Sequence, residues 1–168
     1  MVRIEKIPSK RLHIFKDNNS RVLKQLSELG EVKASVDEDE NLVIDGDGGK
    51  EWIAAQVIKA LALGFESKHA FKLFKDDYFL EVISLENAIG HSEKKLVRVK
   101  ARIIGTEGRV KKNLEALTGA FLSIDDNNVS VLGKFEELKL AKDAVNKIID
   151  GKEISTVYAF LEKYGKML

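Results

Sequence analysis

No cysteine occurs in the 168 residues of the chain. That excludes a disulfide framework and a thiolate metal site, and it makes the cytoplasm the simplest setting. No apolar run approaches the roughly 18–20 residues of a membrane-spanning helix, so no membrane partner is expected. The opening residues, Met1-Val2-Arg3-Ile4-Glu5-Lys6, lack the apolar stretch of a secretion signal. Histidine is scarce, and His13, His69 and His91 show no metal-ligand spacing. Net charge is nearly absent at +1, which by itself says nothing about nucleic acid. What is present is ordinary globular composition, 44% hydrophobic and 33% charged, enough for one domain or two small ones.

The charge is unevenly distributed. Lys94, Lys95, Arg98, Lys100, Arg102, Arg109, Lys111 and Lys112 crowd into one stretch whose only acid is Glu107. That stretch carries +7 and leaves −6 for the rest of the chain. A basic patch on an otherwise acidic protein can focus a phosphate backbone locally; the plainer reading is a solvated face. A smaller bias runs from Lys10 to Lys24, with five basic residues against Asp17.

The chain also repeats itself. A shift of 88 residues sets Val22, Leu26 and Leu29 against Val110, Leu114 and Leu117, and Val32, Ala34 and Val36 against Ala120, Leu122 and Ile124. Beyond the next turn the offset is 87, and Gly46 meets Gly133, Ala54 meets Ala141 and Gly64 meets Gly151. The periodicities predict the first half as a strand over Val2–Ile7, a short helix over Ser9–Phe15, a helix near Arg21–Leu29, strands at Val32–Val36 and Leu42–Ile44, and a helix over Gly49–Leu63 with Ile53, Val57, Ala60 and Leu61 buried. In the second half they predict a strand over Tyr78–Leu85, a helix or helical turn over Glu93–Ile104, a helix over Arg109–Thr118, a hairpin of Phe121–Ile124 and Val129–Leu132, and a closing helix over Phe135–Ile149. Each half reads strand–helix–helix–strand–strand–helix, an α+β arrangement of a sheet against helices. Gly64–Asp77 holds a helical piece around Lys68–Phe74, whose aromatic residues are suited to packing the halves together. Lys152–Lys166 reads as an added helix docked on the second half. Trp52 is read as cover for the junction and Phe121 as core.

Gly105-Thr106-Glu107-Gly108 lies between two of these helices. Glycine permits a tight turn and lets backbone approach a ligand, and the amides opening Arg109–Thr118 suit a phosphate. Arg109, Lys111 and Lys112 add cations, while Ile103 and Ile104 either form an apolar platform for a base or support the loop from beneath. Two glycines at this spacing also make a plain structural turn. A glycine loop between the first two helices, followed by a hairpin and a long helix, is how the KH module holds four nucleotides. Replacing Gly105 and Gly108 together by Asp is expected to weaken RNA binding and leave the fold largely intact.

The acidic groups Asp37-Glu38-Asp39-Glu40, Asp45-Gly46-Asp47 and Asp125-Asp126 sit at turns and lack metal-loop spacing. Gly46-Asp47-Gly48-Gly49 lacks the downstream pattern of a nucleotide phosphate loop, and the aromatic signatures of an RRM sheet are absent. No catalytic residue, cofactor or metal ligand is expected. A nuclease is the weaker reading; a protein-docking adaptor and a generic single-stranded-RNA binder are the alternatives.

Ala101-Arg102-Ile103-Ile104-Gly105-Thr106-Glu107-Gly108-Arg109-Val110-Lys111 resembles a type I KH domain. Ala62-Leu63-Gly64-Phe65-Glu66, Val129-Ser130-Val131-Leu132-Gly133 and Ala141-Lys142-Asp143-Ala144 resemble the archaeal and eukaryotic partner-of-Nob family of small-subunit ribosome-assembly factors. The resemblance implies tandem type I KH domains, each a three-stranded antiparallel sheet packed against helices. It divides the chain into a degenerate KH domain (1–64), an ordered helical linker (65–77), a KH domain with the glycine loop (78–151) and a C-terminal helix (152–168). It implies a non-enzymatic factor for rRNA processing that holds single-stranded RNA near the 3′ end of small-subunit rRNA. The contacts it implies are Arg98, Lys100, Arg102, Ile103, Ile104, Gly105, Thr106, Glu107, Gly108, Arg109, Lys111 and Lys112. Implied partners are the Nob endonuclease, the rRNA dimethyltransferase and, in archaea, the alpha subunit of translation initiation factor two. In the first half the loop positions hold Asp17, Asn18, Asn19 and Ser20, so canonical phosphate clamping is not expected there; a structural or protein-docking role is read slightly ahead of diffuse RNA contact through Lys10, Arg11, Lys16, Arg21 and Lys24.

Overall fold

The computed structural model describes residues 1–16 and 21–165; the first-half loop 17–20 lies outside the described residues. The chain divides into two compact units, Met1–Asp76 and Asp77–Leu168. In the first, β1 (Val2–Lys6) leads through a 3₁₀ turn to α1 (His13–Lys16) and α2 (Arg21–Gly30). The hairpin β2 (Lys33–Val36) and β3 (Asn41–Asp45) and the long α3 (Lys50–Ala62) follow. The sheet order is β1–β3–β2, antiparallel throughout. Alternation along β3 buries Leu42 and Ile44 completely against the helices.

The hairpin turn is closed locally. The Asp37 carboxylate accepts the Asn41 backbone amide at 2.8 Å, and that bond holds its pKa below the ordinary value. Above the ordinary carboxylate range the bond therefore supports the fold, and the support fades as pH falls through the depressed value.

The helix α3 is buried more widely than the single stripe expected from its periodicity. Ala54, Ala55 and Ile58 join Val57, Ala60 and Leu61 inside, Ile53 is only half-buried, and Trp52 stands 54% exposed. The reason is tertiary: α3 contacts β1, β3 and α2, and also the segment after it. That segment, α4 (Ser67–Ala70) and a 3₁₀ turn (Phe71–Phe74), buries Ala70 and Leu73, and the Phe74 ring lies beside Gly30. Its aromatic residues thus pack within the first unit. In α2 it is Leu23 and Leu26 that face the core, whereas Leu29 is exposed.

The second unit repeats the order with one addition. β4 (Tyr78–Ser84) passes into a short α5 (Leu85–Ile89), α6 (Glu93–Ile104), a 3₁₀ turn (Thr106–Gly108) and α7 (Arg109–Thr118). Then come β5 (Phe121–Ile124), β6 (Asn128–Lys134), α8 (Phe135–Ile149) and α9 (Ile154–Gly165), with sheet order β4–β6–β5. The strand stops one residue short of Leu85 because the Ser84 hydroxyl accepts the Asn87 amide and caps α5. Two aligned glycines explain part of the repeat. A Cβ on Gly46 would fall 2.7 Å from the Val32 side chain, and one on Gly133 would fall 3.2 Å from that of Ala120. In both units the chain at the end of the central strand, Gly46 just past β3 and Gly133 within β6, is thus packed tightly against the residue preceding the neighbouring strand. Both units are three-stranded antiparallel sheets against helices, as expected of tandem type I KH domains.

The core of the second unit gathers Ile103, Leu114, Leu122, Val129, Val131, Ala141, Val145 and Ile148. Val157 and Leu161 of α9 are fully buried in the same cluster, so α9 is part of this core.

Candidate nucleic-acid interface

The helix α6 is two-faced because its apolar residues recur at three and four. Leu96, Val99 and Ile103 point inward, and Lys94, Val97, Arg98, Ala101 and Ile104 face solvent. The helix ends at Gly105, whose amide donates to the Ala101 carbonyl at 2.8 Å. Gly105 takes φ 74°, ψ 174°, a region open essentially to glycine alone. A Cβ there would lie 2.8 Å from the Val110 backbone nitrogen and overlap the Val110 side chain. Gly108 is different: its φ of 73° and ψ of 15° are left-handed, yet nothing lies within 4 Å of where its Cβ would be. The expectation that Asp is tolerated at both positions therefore fails at Gly105 and holds sterically at Gly108.

Between them Glu107 also adopts a left-handed conformation, φ 56°, ψ 27°, with its side chain exposed. Among the described residues no side chain caps α7. Its first amides lack intrahelical acceptors, apart from Arg109 N–H, which donates to the Thr106 carbonyl. The open loop thus presents helix-terminal donors beside the positive end of the α7 dipole.

The structure separates the eight cations of the basic stretch. Arg102 donates from Nη1 to the Ile148 carbonyl at 2.7 Å and from Nη2 to the Lys152 carbonyl, and it is half-buried. Lys100 Nζ donates to the Asp126 carbonyl at 2.7 Å in the β5–β6 turn. Lys111 Nζ sits 3.4 Å from Glu115, an i,i+4 pair worth only about 0.3–0.5 kcal/mol and readily exchanged for another anion. Lys94, Lys95, Arg98, Arg109 and Lys112 are exposed, and their side chains make no hydrogen bond or ion pair with a described residue. Ile103 is fully buried, which leaves it the role of support beneath the loop; Ile104 is 37% exposed at the loop's edge, and Thr106 is exposed at its tip.

Lys94, Lys95 and Val97, which sequence reasoning did not group with the candidate contacts, share the exposed face of α6. Their helical spacing with Arg98 and Ala101 is the signal that places them on the face leading into the loop. Among the described residues, no group of three or more His, Asp or Glu is placed to hold a metal ion. Among them also, no helix is long and apolar enough to cross a membrane.

Residues 79–166 match the family model of the second KH domain of Pno1, described as a eukaryotic type KH-domain (KH-domain type I). A KH domain-containing protein of Methanocaldococcus jannaschii is 36% identical over 168 residues, spanning 96% of this chain and 73% of the relative. The pre-rRNA-processing protein PNO1 of Candida albicans is 30% identical over 108 residues, 64% of this chain and 39% of the relative. The chain spans half or less of the length of the eukaryotic relatives it matches. Among solved structures, the a/eIF2alpha–aDim2p–rRNA complex from Pyrococcus horikoshii contains a similar chain with a TM-score of 0.90 and 28% identity. That match covers all of this chain and 96% of the other. The matched profile takes in the glycine loop and α9 together, and the chain belongs to the Pno1/Dim2 family of type I KH-domain proteins.

Proposed function

We propose that this chain is a non-enzymatic RNA-binding factor of small-subunit ribosome assembly that holds single-stranded rRNA through the loop Gly105–Gly108 of its second unit. The observation that carries the reading is the loop itself: among the described residues, a helix start with no side-chain cap, a Gly108 with nothing packed against it, and exposed Arg109 and Lys112 side chains without a partner. Arg98, Lys94 and Lys95 extend the cationic face along α6, and Ile104 with Val97 offers apolar contact to bases. Lys111 joins by exchanging Glu115 for a phosphate. The amide edge binds backbone and the apolar strip binds bases, so the ligand is single-stranded.

The similar Pyrococcus chain was crystallised with rRNA and a/eIF2alpha. This supports rRNA as the ligand and the alpha subunit of translation initiation factor two as a protein partner; in our reading the RNA is small-subunit rRNA near its 3′ end. Family membership extends the proposal to a Nob-type endonuclease and an rRNA dimethyltransferase as neighbours during maturation in the cytoplasm. Protein docking belongs to the first unit in this reading.

Gly108→Asp tests it, because Asp tolerates a left-handed backbone and brings a carboxylate to the phosphate position. In a titration with single-stranded RNA of small-subunit 3′-end sequence, affinity falls at least about tenfold, equivalent to about 1.4 kcal/mol. The thermal midpoint stays close to the parent's. Parent-like affinity would remove the loop from the mechanism.

A further inference from the structure

Arg102 sits one turn before Gly105, at the end of the helix that enters the loop, and both prongs of its guanidinium are taken by carbonyls. One is Ile148 at the end of α8; the other is Lys152 at the approach to α9. Arg102 thereby fastens the exit of α6 to the junction between α8 and α9.

The other side of the loop is fastened to the same helix. In α7, one turn past its start, Asn113 Nδ2 donates to the Tyr158 hydroxyl of α9 at 3.1 Å. Farther along, the backbone of Gly165 at the end of α9 approaches the Leu117 carbonyl so closely that a Cβ would fall 2.9 Å from it. Val157 and Leu161 anchor α9 between these points. The Gly105 turn lies so close to Val110 of α7 that a Cβ would not fit, so the spacing of α6 and α7 sets where the loop amides point.

We propose that α9 is a brace for the RNA-holding loop, and that Arg102 and Tyr158 are positioning residues that hold α6 and α7 at the separation the loop requires. This rests on the reading that the loop holds RNA. It assigns Arg102 a role other than phosphate contact, because its donors are directed at two backbone carbonyls.

The discriminating variant keeps the charge. Arg102→Lys retains a cation but offers a point donor in place of the planar fork that reaches two carbonyls at once. Tyr158→Phe removes only a hydroxyl. Binding of a single-stranded RNA oligonucleotide is measured by fluorescence anisotropy across a salt series for the parent, both variants and Gly108→Asp. Amide hydrogen exchange is followed at residues 105–111. Arg102→Lys is expected to bind about five- to tenfold more weakly and Tyr158→Phe about threefold. Both are expected to keep the parental slope of log affinity against log salt, since no phosphate contact is lost. Exchange at the loop amides quickens in both.

Parent-like affinity and exchange in both variants, with Gly108→Asp impaired, would overturn the brace and leave the loop's role standing. Arg102→Met is titrated in the same way, and a normal Arg102→Lys beside a weakened, shallower-sloped Arg102→Met would also overturn it, marking Arg102 as a direct phosphate ligand. If Gly108→Asp itself binds normally, the loop reading fails and the brace falls with it. Tyr158→Phe keeps the test decisive should Arg102→Lys fold poorly.

Discussion

Gly105 and Gly108 look equivalent in the sequence, but their backbones make opposite demands. Gly105→Ala places a methyl against Val110 in a region of φ and ψ that costs of order 1–3 kcal/mol to occupy. Chemical denaturation is expected to show at least that loss. Gly108→Ala meets open space and carries only the left-handed penalty, roughly 1–2 kcal/mol. Equal destabilisation by the two substitutions would contradict the loop geometry. The cations divide in the same way. Arg109→Ala and Lys112→Ala should each flatten the salt dependence of RNA binding by about 0.7 in log–log slope, the value for one phosphate on a single strand. An unchanged slope in both would show that neither meets phosphate. The basic stretch was legible as a stretch, but its division was not. Arg102 finds its acceptors 46 and 50 residues along the chain and Lys100 finds its own 26 residues away, distances at which local pattern carries no information.

Helices and strands followed from periodicity where they were long enough to display it. The range Glu93–Ile104 coincides with α6, and Arg109–Thr118 with α7, because Leu96, Val99, Ile103 and Leu114 fall at core spacing. The five residues of α5 are too few to show a period, and Ser84 reads as the end of a strand until its hydroxyl is seen capping Asn87. Aligned glycines at 46 and 133 were visible as a repeat, but their cause, the close approach of Val32 and Ala120, needed coordinates. The helix α9 was legible as amphipathic; that it completes the core and braces the loop was not. Since Leu161 is fully buried, Leu161→Ala should cost about 2–5 kcal/mol by the usual range for such truncations. Thermal unfolding of the chain measures this, and an unshifted midpoint would mean that α9 is dispensable to the second unit.

At the scale of the molecule, the sequence showed two like halves and a charge concentrated in one of them. The structure adds that the halves are separate compact units of the same sheet order and that the concentrated charge surrounds an unobstructed loop. A chain with +7 in one short stretch and −6 elsewhere draws a polyanion to that stretch and repels it from much of the remaining surface. Folding alone does not require so uneven a distribution, and RNA binding by the second unit accounts for it. Ultraviolet crosslinking of the intact chain to single-stranded RNA of small-subunit 3′-end sequence, with the joined peptides mapped by mass spectrometry, tests this most directly. Crosslinks are predicted at Ile104–Lys112 and on the outer face of α6 around Val97 and Arg98. Crosslinks confined to Met1–Asp76, with none in the loop or on α6, would contradict it.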